Sequence, residues 1–140
     1  MNFMLVRDKM TSAVVALTAD VPFQEALKLM KQRSIRRIPI VAKNGTLIGI
    51  VSERDLLHAA PSPATSLNIW EMNYLLSKLK LGDLMTKSMV TVTPQTHLQE
   101  AAALMLKHKV GGLPVLNEDR TIAGIITETD IFRAFVEFLT

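Results

Sequence analysis

The stretch Gly49-Ile50-Val51-Ser52-Glu53-Arg54-Asp55 decides the fold, because Gly124-Ile125-Ile126-Thr127-Glu128-Thr129-Asp130 repeats it 75 residues later. Working outward at that shift, residues 6–57 lie over 81–132 without a gap, and 16 of the 52 pairs are identical. Asp8-x-Met10-Thr11 meets Asp83-x-Met85-Thr86, Gln24-Glu25-Ala26 meets Gln99-Glu100-Ala101, Leu29-Met30 meets Leu104-Met105, and Pro39 meets Pro114. Many remaining pairs exchange one aliphatic residue for another. A fixed-period match of this kind marks two copies of one supersecondary unit.

Each copy carries the same signals. Val14-Val15-Ala16-Leu17 and Met89-Val90-Thr91-Val92 predict short strands from their β-branched content. Helices are predicted over about 22–33 and 97–108, where Ala26, Leu29, Met30 and Ala101, Leu104, Met105 recur at helical spacing and Glu25 and Glu100 suit the first turn. Ile38-Pro39-Ile40-Val41 and Leu113-Pro114-Val115-Leu116 predict strands whose proline implies a start or an edge. Turns at Lys43-Asn44-Gly45 and Asn117-Glu118-Asp119 lead into Leu47–Val51 and Ile122–Ile126, and closing helices begin at Ser52 and Thr127, both good N-caps. The prediction is an α+β chain of two β-α-β-β-α units, with repeat 1 at 1–57, a linker at 58–80 and repeat 2 at 81–140. A copy of about 55 residues barely covers its own sheet, so the two are expected to pack together with pseudo-two-fold symmetry. In the linker Pro61-Ser62-Pro63 breaks the preceding helix, and Ser66 is the expected cap of a new one running through Trp70, Met72, Leu75, Leu76 and Leu79. Its apolar residues cover most of the circumference, which points to packing on the repeats or on a second subunit, and assigns Trp70 and Tyr74 to core or interface packing before a ligand lid.

Composition narrows the function. The chain is 49% hydrophobic, yet no apolar run approaches the roughly 20 residues of a membrane span. Its opening Met1-Asn2-Phe3-Met4-Leu5-Val6-Arg7 lacks the pattern of a signal peptide, and it has no cysteine, so a cytoplasmic location is expected. Net charge is +3, but residues 1–57 hold nine Lys/Arg against five Asp/Glu, with Lys28, Lys31, Arg33, Arg36 and Arg37 crowded together. That cluster is either a solvated helix face or a local anion site. Nucleic acid is disfavoured as a partner, because no basic stripe interleaved with aromatics accompanies it. His58, His97 and His108 stand apart without metal-ligand spacing, and no phosphate-loop, dinucleotide-fold or nucleophile-elbow motif occurs. Neither an enzyme nor a metal site is expected.

Ser52-x-x-Asp55 and Thr127-x-x-Asp130 remain, each directly after a Gly-aliphatic strand. A hydroxyl cap followed by an acid at the third helical position is an ordinary capping arrangement. The same geometry can serve a nucleotide: a helix N-terminus and a hydroxyl suit a phosphate, and a carboxylate one turn in can accept ribose hydroxyls. Two occurrences at equivalent positions strengthen the second reading.

These motifs, with Arg36-Arg37-Ile38-Pro39-Ile40-Val41, resemble the CBS-domain pair, or Bateman module, over nearly the whole chain. The stretch from Pro61 to Leu76 resembles small prokaryotic acetoin-utilisation-like CBS proteins. The resemblance implies a regulatory adenine-nucleotide sensor (AMP, ADP or ATP) or S-adenosylmethionine sensor without catalysis, and a homodimer. A ligand-free interaction module and a nucleic-acid-binding regulator are the alternatives. Carried over residue by residue, it implies one cleft with Arg36, Arg37, Ile38, Pro39, Ile50, Ser52, Asp55, Thr86, Met89 and Val90. The other takes Thr11, Val14, Val15, Gly112, Leu113, Pro114, Ile125, Thr127 and Asp130. Ser52 and Thr127 would meet phosphate, Asp55 and Asp130 the ribose, and Ile50 and Ile125 the base. Gly111-Gly112 stands where the first repeat has Arg36-Arg37, so the first cleft is expected to bind phosphate more tightly.

Overall fold

The computed structural model describes residues 4–59 and 66–140, so the proposed break at Pro61-Ser62-Pro63 lies outside the described residues. The elements are α1 (Val6–Lys9), α2 (Phe23–Arg33), β1 (Arg37–Val41), β2 (Leu47–Ser52), α3 (Glu53–Ala59), α4 (Ile69–Lys78), α5 (Leu81–Leu84), α6 (Leu98–His108), β3 (Gly112–Leu116), β4 (Ile122–Thr127) and α7 (Glu128–Leu139). Strands β1 and β2 pair, as do β3 and β4. The β3–β4 ladder is antiparallel, sets Gly112 opposite Thr127 and Pro114 opposite Ile125, and is interrupted by an irregularity between Val115 and Leu116.

The two strands expected to open each repeat shrink to single parallel bridges, Leu17 to Ile40 and Val92 to Val115. Proline sets the limit. Leu17 N–H donates to the Pro39 carbonyl at 3.1 Å, and Val41 N–H donates to the Leu17 carbonyl at 2.9 Å. Extending the ladder back to Val15 would need an N–H from Pro39, which has none. Val92 repeats the pattern with the Pro114 carbonyl at 3.1 Å and Leu116 N–H at 2.8 Å. Because the proline faces this bridge, its missing donor takes nothing from the β1–β2 or β3–β4 ladder.

Two compact units result, and they do not coincide with the repeats. One comprises Met1–Val14, Gly45–Leu47 and Met89–Thr140; the other comprises Val15–Asn44 and Ile48–Ser88. Each repeat's Asp-x-Met-Thr segment therefore folds in the unit built mainly from the other repeat. In the first unit Val6 is fully buried with Val92, Leu98, Ala101, Met105, Leu113, Val115, Ile126 and Ala134. In the second, Leu81 is fully buried with Phe23, Ala26, Met30, Ile38, Ile40, Val51 and Leu56. The short helices α1 and α5, not foreseen in the sequence, owe their form to the motif's aspartate. Asp8 accepts from Leu5 N–H at 2.9 Å and Asp83 from Lys80 N–H at 3.2 Å, which ties up one otherwise orphaned donor in each.

The linker helix differs from expectation in two respects. Its cap is Asn68, not Ser66: Asn68 accepts from Glu71 N–H at 2.8 Å and donates to the Glu71 carboxylate at 2.6 Å. From Ser66 the reciprocating position would be Ile69, which has no acceptor to return. Nor is α4 a core helix, since it has no buried residue. Leu76 and Leu79 lean on the core of their unit, whereas Trp70 is 80% and Tyr74 59% exposed, with the Lys78 ammonium 4.4 Å from the Tyr74 ring centre. Assignment of those aromatics to the core of this chain is thereby corrected. Among the described residues no helix is long and apolar enough to cross a membrane.

Candidate functional site

Each unit contains one strand-to-helix joint with the Ser/Thr-x-x-Asp pattern. In the second unit Ile50 and Thr86 exchange both backbone hydrogen bonds, at 3.0 and 2.9 Å. The Asp-x-Met-Thr segment thus runs beside the last residues of β2. Two residues on, Ser52 N–H donates to Asp55 Oδ2 and Asp55 N–H donates to Ser52 Oγ, both at 3.1 Å. Glu53 N–H donates to the Arg36 carbonyl at 2.7 Å, which holds the Arg36 backbone, with Arg37 next in the chain, against the helix start. Arg36 is exposed and Arg37 half-buried; Ile38 and Pro39 are core residues. Met89 and Val90, expected in this cleft, belong to the other unit, where Val90 packs against the core.

The first unit reproduces the construction. Thr11 and Ile125 exchange backbone bonds at 2.9 and 3.0 Å, and Glu128 N–H donates to the Gly111 carbonyl at 3.0 Å. Thr127 N–H donates to Asp130 Oδ2 at 2.9 Å, and the Thr127 hydroxyl reaches the same oxygen at 3.1 Å. The other carboxylate oxygen, Oδ1, lies 3.5 Å from the Arg133 guanidinium. Asp130 is 5% exposed, the one buried charged residue among those described, and its burial is supported by these partners. Val14 lies in this unit, half-buried; Leu113 and Pro114 are buried in β3; Val15 belongs to the other unit.

The joints are caps as built, and this has a chemical consequence. At both helix starts the first N–H is taken by a backbone carbonyl and the third by the cap hydroxyl, the latter at 3.5 Å from Asp130 to Thr127. Among the described residues, Arg54 N–H and Thr129 N–H are the ones of these first three left for a ligand, fewer than a helix N-terminus ordinarily offers. The carboxylates differ as well. Among the described residues Asp55 Oδ1 has no partner, whereas Asp130 has Arg133. Arg133 was missed in the sequence, although its spacing of three from Asp130 marks it as a helical pair. Gly49 and Gly124 also have a role not read there. A Cβ on Gly124 would stand 2.6 Å from the Thr11 carbonyl oxygen, so glycine is what admits the neighbouring segment.

With this geometry in view, a family model described as CBS domain matches residues 6–62 and 81–137. The chain is 35% identical to AcuB of Vibrio cholerae, named for acetoin utilization; that structure superposes with a TM-score of 0.82, covering 99% of this chain and 94% of the other. It is 33% identical to CBSX2 of Arabidopsis thaliana, solved in complex with AMP (TM-score 0.79; 97% and 98% covered). It is 25% identical to the CBS domain pair of protein MJ0100, solved with 5′-methylthioadenosine and S-adenosyl-L-methionine (TM-score 0.81; 97% and 98% covered).

Proposed function

Because the chain belongs to the CBS domain family, we propose that it is a regulatory module that binds an adenosine-containing ligand at its Ser52–Asp55 and Thr127–Asp130 joints and catalyses no reaction itself. The observation that carries this reading is the duplicated joint: each carboxylate sits one turn inside a helix, and each joint is flanked by a threonine from an Asp-x-Met-Thr segment. Support comes from the AMP bound by CBSX2 and the adenosine derivatives bound by MJ0100. Asp55 Oδ1 is an open acceptor for a ribose hydroxyl, and Ile50 offers an apolar surface to a base. Ligand binding would act by favouring one of two packings, and only to the extent that its affinity differs between them. A cytoplasmic setting belongs to the same proposal.

Isothermal calorimetry against AMP, ADP, ATP and S-adenosylmethionine, with GTP as control, tests the reading. Binding of an adenine ligand is expected, and Asp55→Ala should weaken it about 10- to 100-fold, the size of lost charge-assisted hydrogen bonds. Nucleotide binding unaltered by Asp55→Ala would return the Ser52–Asp55 joint to the status of a helix cap, and no binding by any of these ligands would leave an interaction module.

The proposal includes a homodimer. Helix α7 exposes Phe132, Phe135, Val136, Phe138 and Leu139, each more than half accessible, and isolated monomers seldom leave so many large apolar side chains on one element. Sedimentation equilibrium at micromolar concentration should give twice the mass of 15.5 kDa, and Phe135→Glu should return the monomer. A monomeric parent chain would remove the dimer from the proposal.

A further inference from the structure

Building on that reading, we infer that the two joints take different ligand classes: Ser52–Asp55 a phosphorylated adenine nucleotide, Thr127–Asp130 an adenosine derivative without phosphate. The backbone makes the same limited offer at both. Two of the first three helix N–H groups are already bonded, so a phosphate needs side-chain cations as well. The first joint has Arg36 and Arg37, neither of which has an ion-pair partner among the described residues. The second has Gly111 and Gly112 at the matching positions and offers no cation there.

The contrast extends beyond one pair. Lys28, Lys31, Arg33 and Lys43 correspond to Ala103, Leu106, His108 and Glu118, although the surrounding framework is conserved between copies. The fold therefore does not require these charges. The unit holding Ser52 carries ten Lys/Arg and six Asp/Glu, net +4; the unit holding Thr127 carries six and seven, net −1. A phosphate dianion is drawn to the first field and gains nothing from the second.

The hydroxyls agree. Ser52 Oγ accepts from Asp55 N–H, and its own proton has no acceptor among the described residues, so it can donate to a phosphate oxygen. The Thr127 proton is directed at Asp130 Oδ2. Arg133, at the other oxygen of Asp130, offsets the carboxylate charge, which suits an uncharged nucleoside.

The test uses AMP and 5′-methylthioadenosine as probes on the whole chain. Calorimetry should give one AMP per chain, and saturating AMP should leave one further site for 5′-methylthioadenosine. The double variant R36A/R37A, at positions outside the core, should lose AMP affinity about 10- to 100-fold and keep its 5′-methylthioadenosine affinity. Gly111→Arg should raise AMP stoichiometry toward two. Displacement of one probe by the other, two equivalent AMP sites in the parent, or equal weakening of both probes in R36A/R37A overturns the division while leaving the sensor reading intact. If neither probe binds, the division falls, and the sensor reading is decided separately by ADP, ATP and S-adenosylmethionine.

Discussion

Gly124→Ala is expected to lower the unfolding free energy by about 3 kcal/mol, the upper part of the range for forcing a methyl group into filled space. The added Cβ meets the Thr11 carbonyl at 2.6 Å and Met10 Sδ at 2.9 Å. A sulfur can swing aside, but a carbonyl held in the Thr11–Ile125 bridge cannot move without breaking two backbone bonds. Gly49→Ala, the matching change in the first repeat, makes its three nearest contacts with the side chain of Met85 and should cost less. Met85→Ala should rescue part of the Gly49→Ala loss, whereas Met10→Ala should not rescue Gly124→Ala. Urea unfolding of the four single and two double variants decides the matter. Equal costs at the two glycines, or rescue by Met10→Ala, would show that backbone approach is not what the glycine protects.

This glycine also shows where the sequence was readable. Gly49 and Gly124 stood out by their repetition, and period and β-branching located β1 to β4, α2 and α6 to within a residue or so. Long amphipathic patterns are local, so one chain segment suffices to reveal them. The opening strands are shorter than the sequence predicts because β-branched residues describe a preference, whereas the number of ladder bonds depends on a proline in another segment. Ser66 is a strong cap in isolation, but the reciprocal partner Glu71 makes Asn68 the cap of α4. At the joints, the Ser/Thr-x-x-Asp pattern foretold the hydrogen bonds between hydroxyl, backbone and carboxylate. It did not foretell that Arg36 and Gly111 would spend their carbonyls on the helix start, because those contacts join residues 17 apart. The exchange of Asp-x-Met-Thr segments was legible only through resemblance. Nothing within Asp8–Thr11 or Asp83–Thr86 says which sheet it will lie beside.

That exchange governs the second large effect. Leu81→Ala should cost about 3 kcal/mol, within the 2–5 kcal/mol usual for emptying a fully buried leucine site, and a sizeable part of a total stability of about 5–15 kcal/mol. Leu81 belongs by sequence to the second repeat, yet it is buried against Phe23, Met30, Ile38 and Leu56 of the first. Its N–H donates to the Val21 carbonyl at 2.9 Å, just before α2 begins. Val6 stands in the matching relation to the second repeat, with its N–H on the Thr96 carbonyl at 2.8 Å before α6. Amide hydrogen exchange under native conditions should therefore quicken in α2 and β1 for Leu81→Ala, and in α6 and β3 for Val6→Ala, as local opening follows the damaged core. If Leu81→Ala quickened exchange in α6 instead, each repeat would be closing over its own opening segment, and the assignment of Leu81 to the first repeat's core would be wrong. The same variant bears on ligand binding. Thr86 is carried to Ile50 by the segment that Leu81 anchors, so loosening Leu81 should weaken an adenine ligand at Ser52–Asp55 without removing any group that would touch it. A chain cut between the repeats would separate Leu81 from its core altogether, which gives a physical reason for the two copies to remain on one polypeptide.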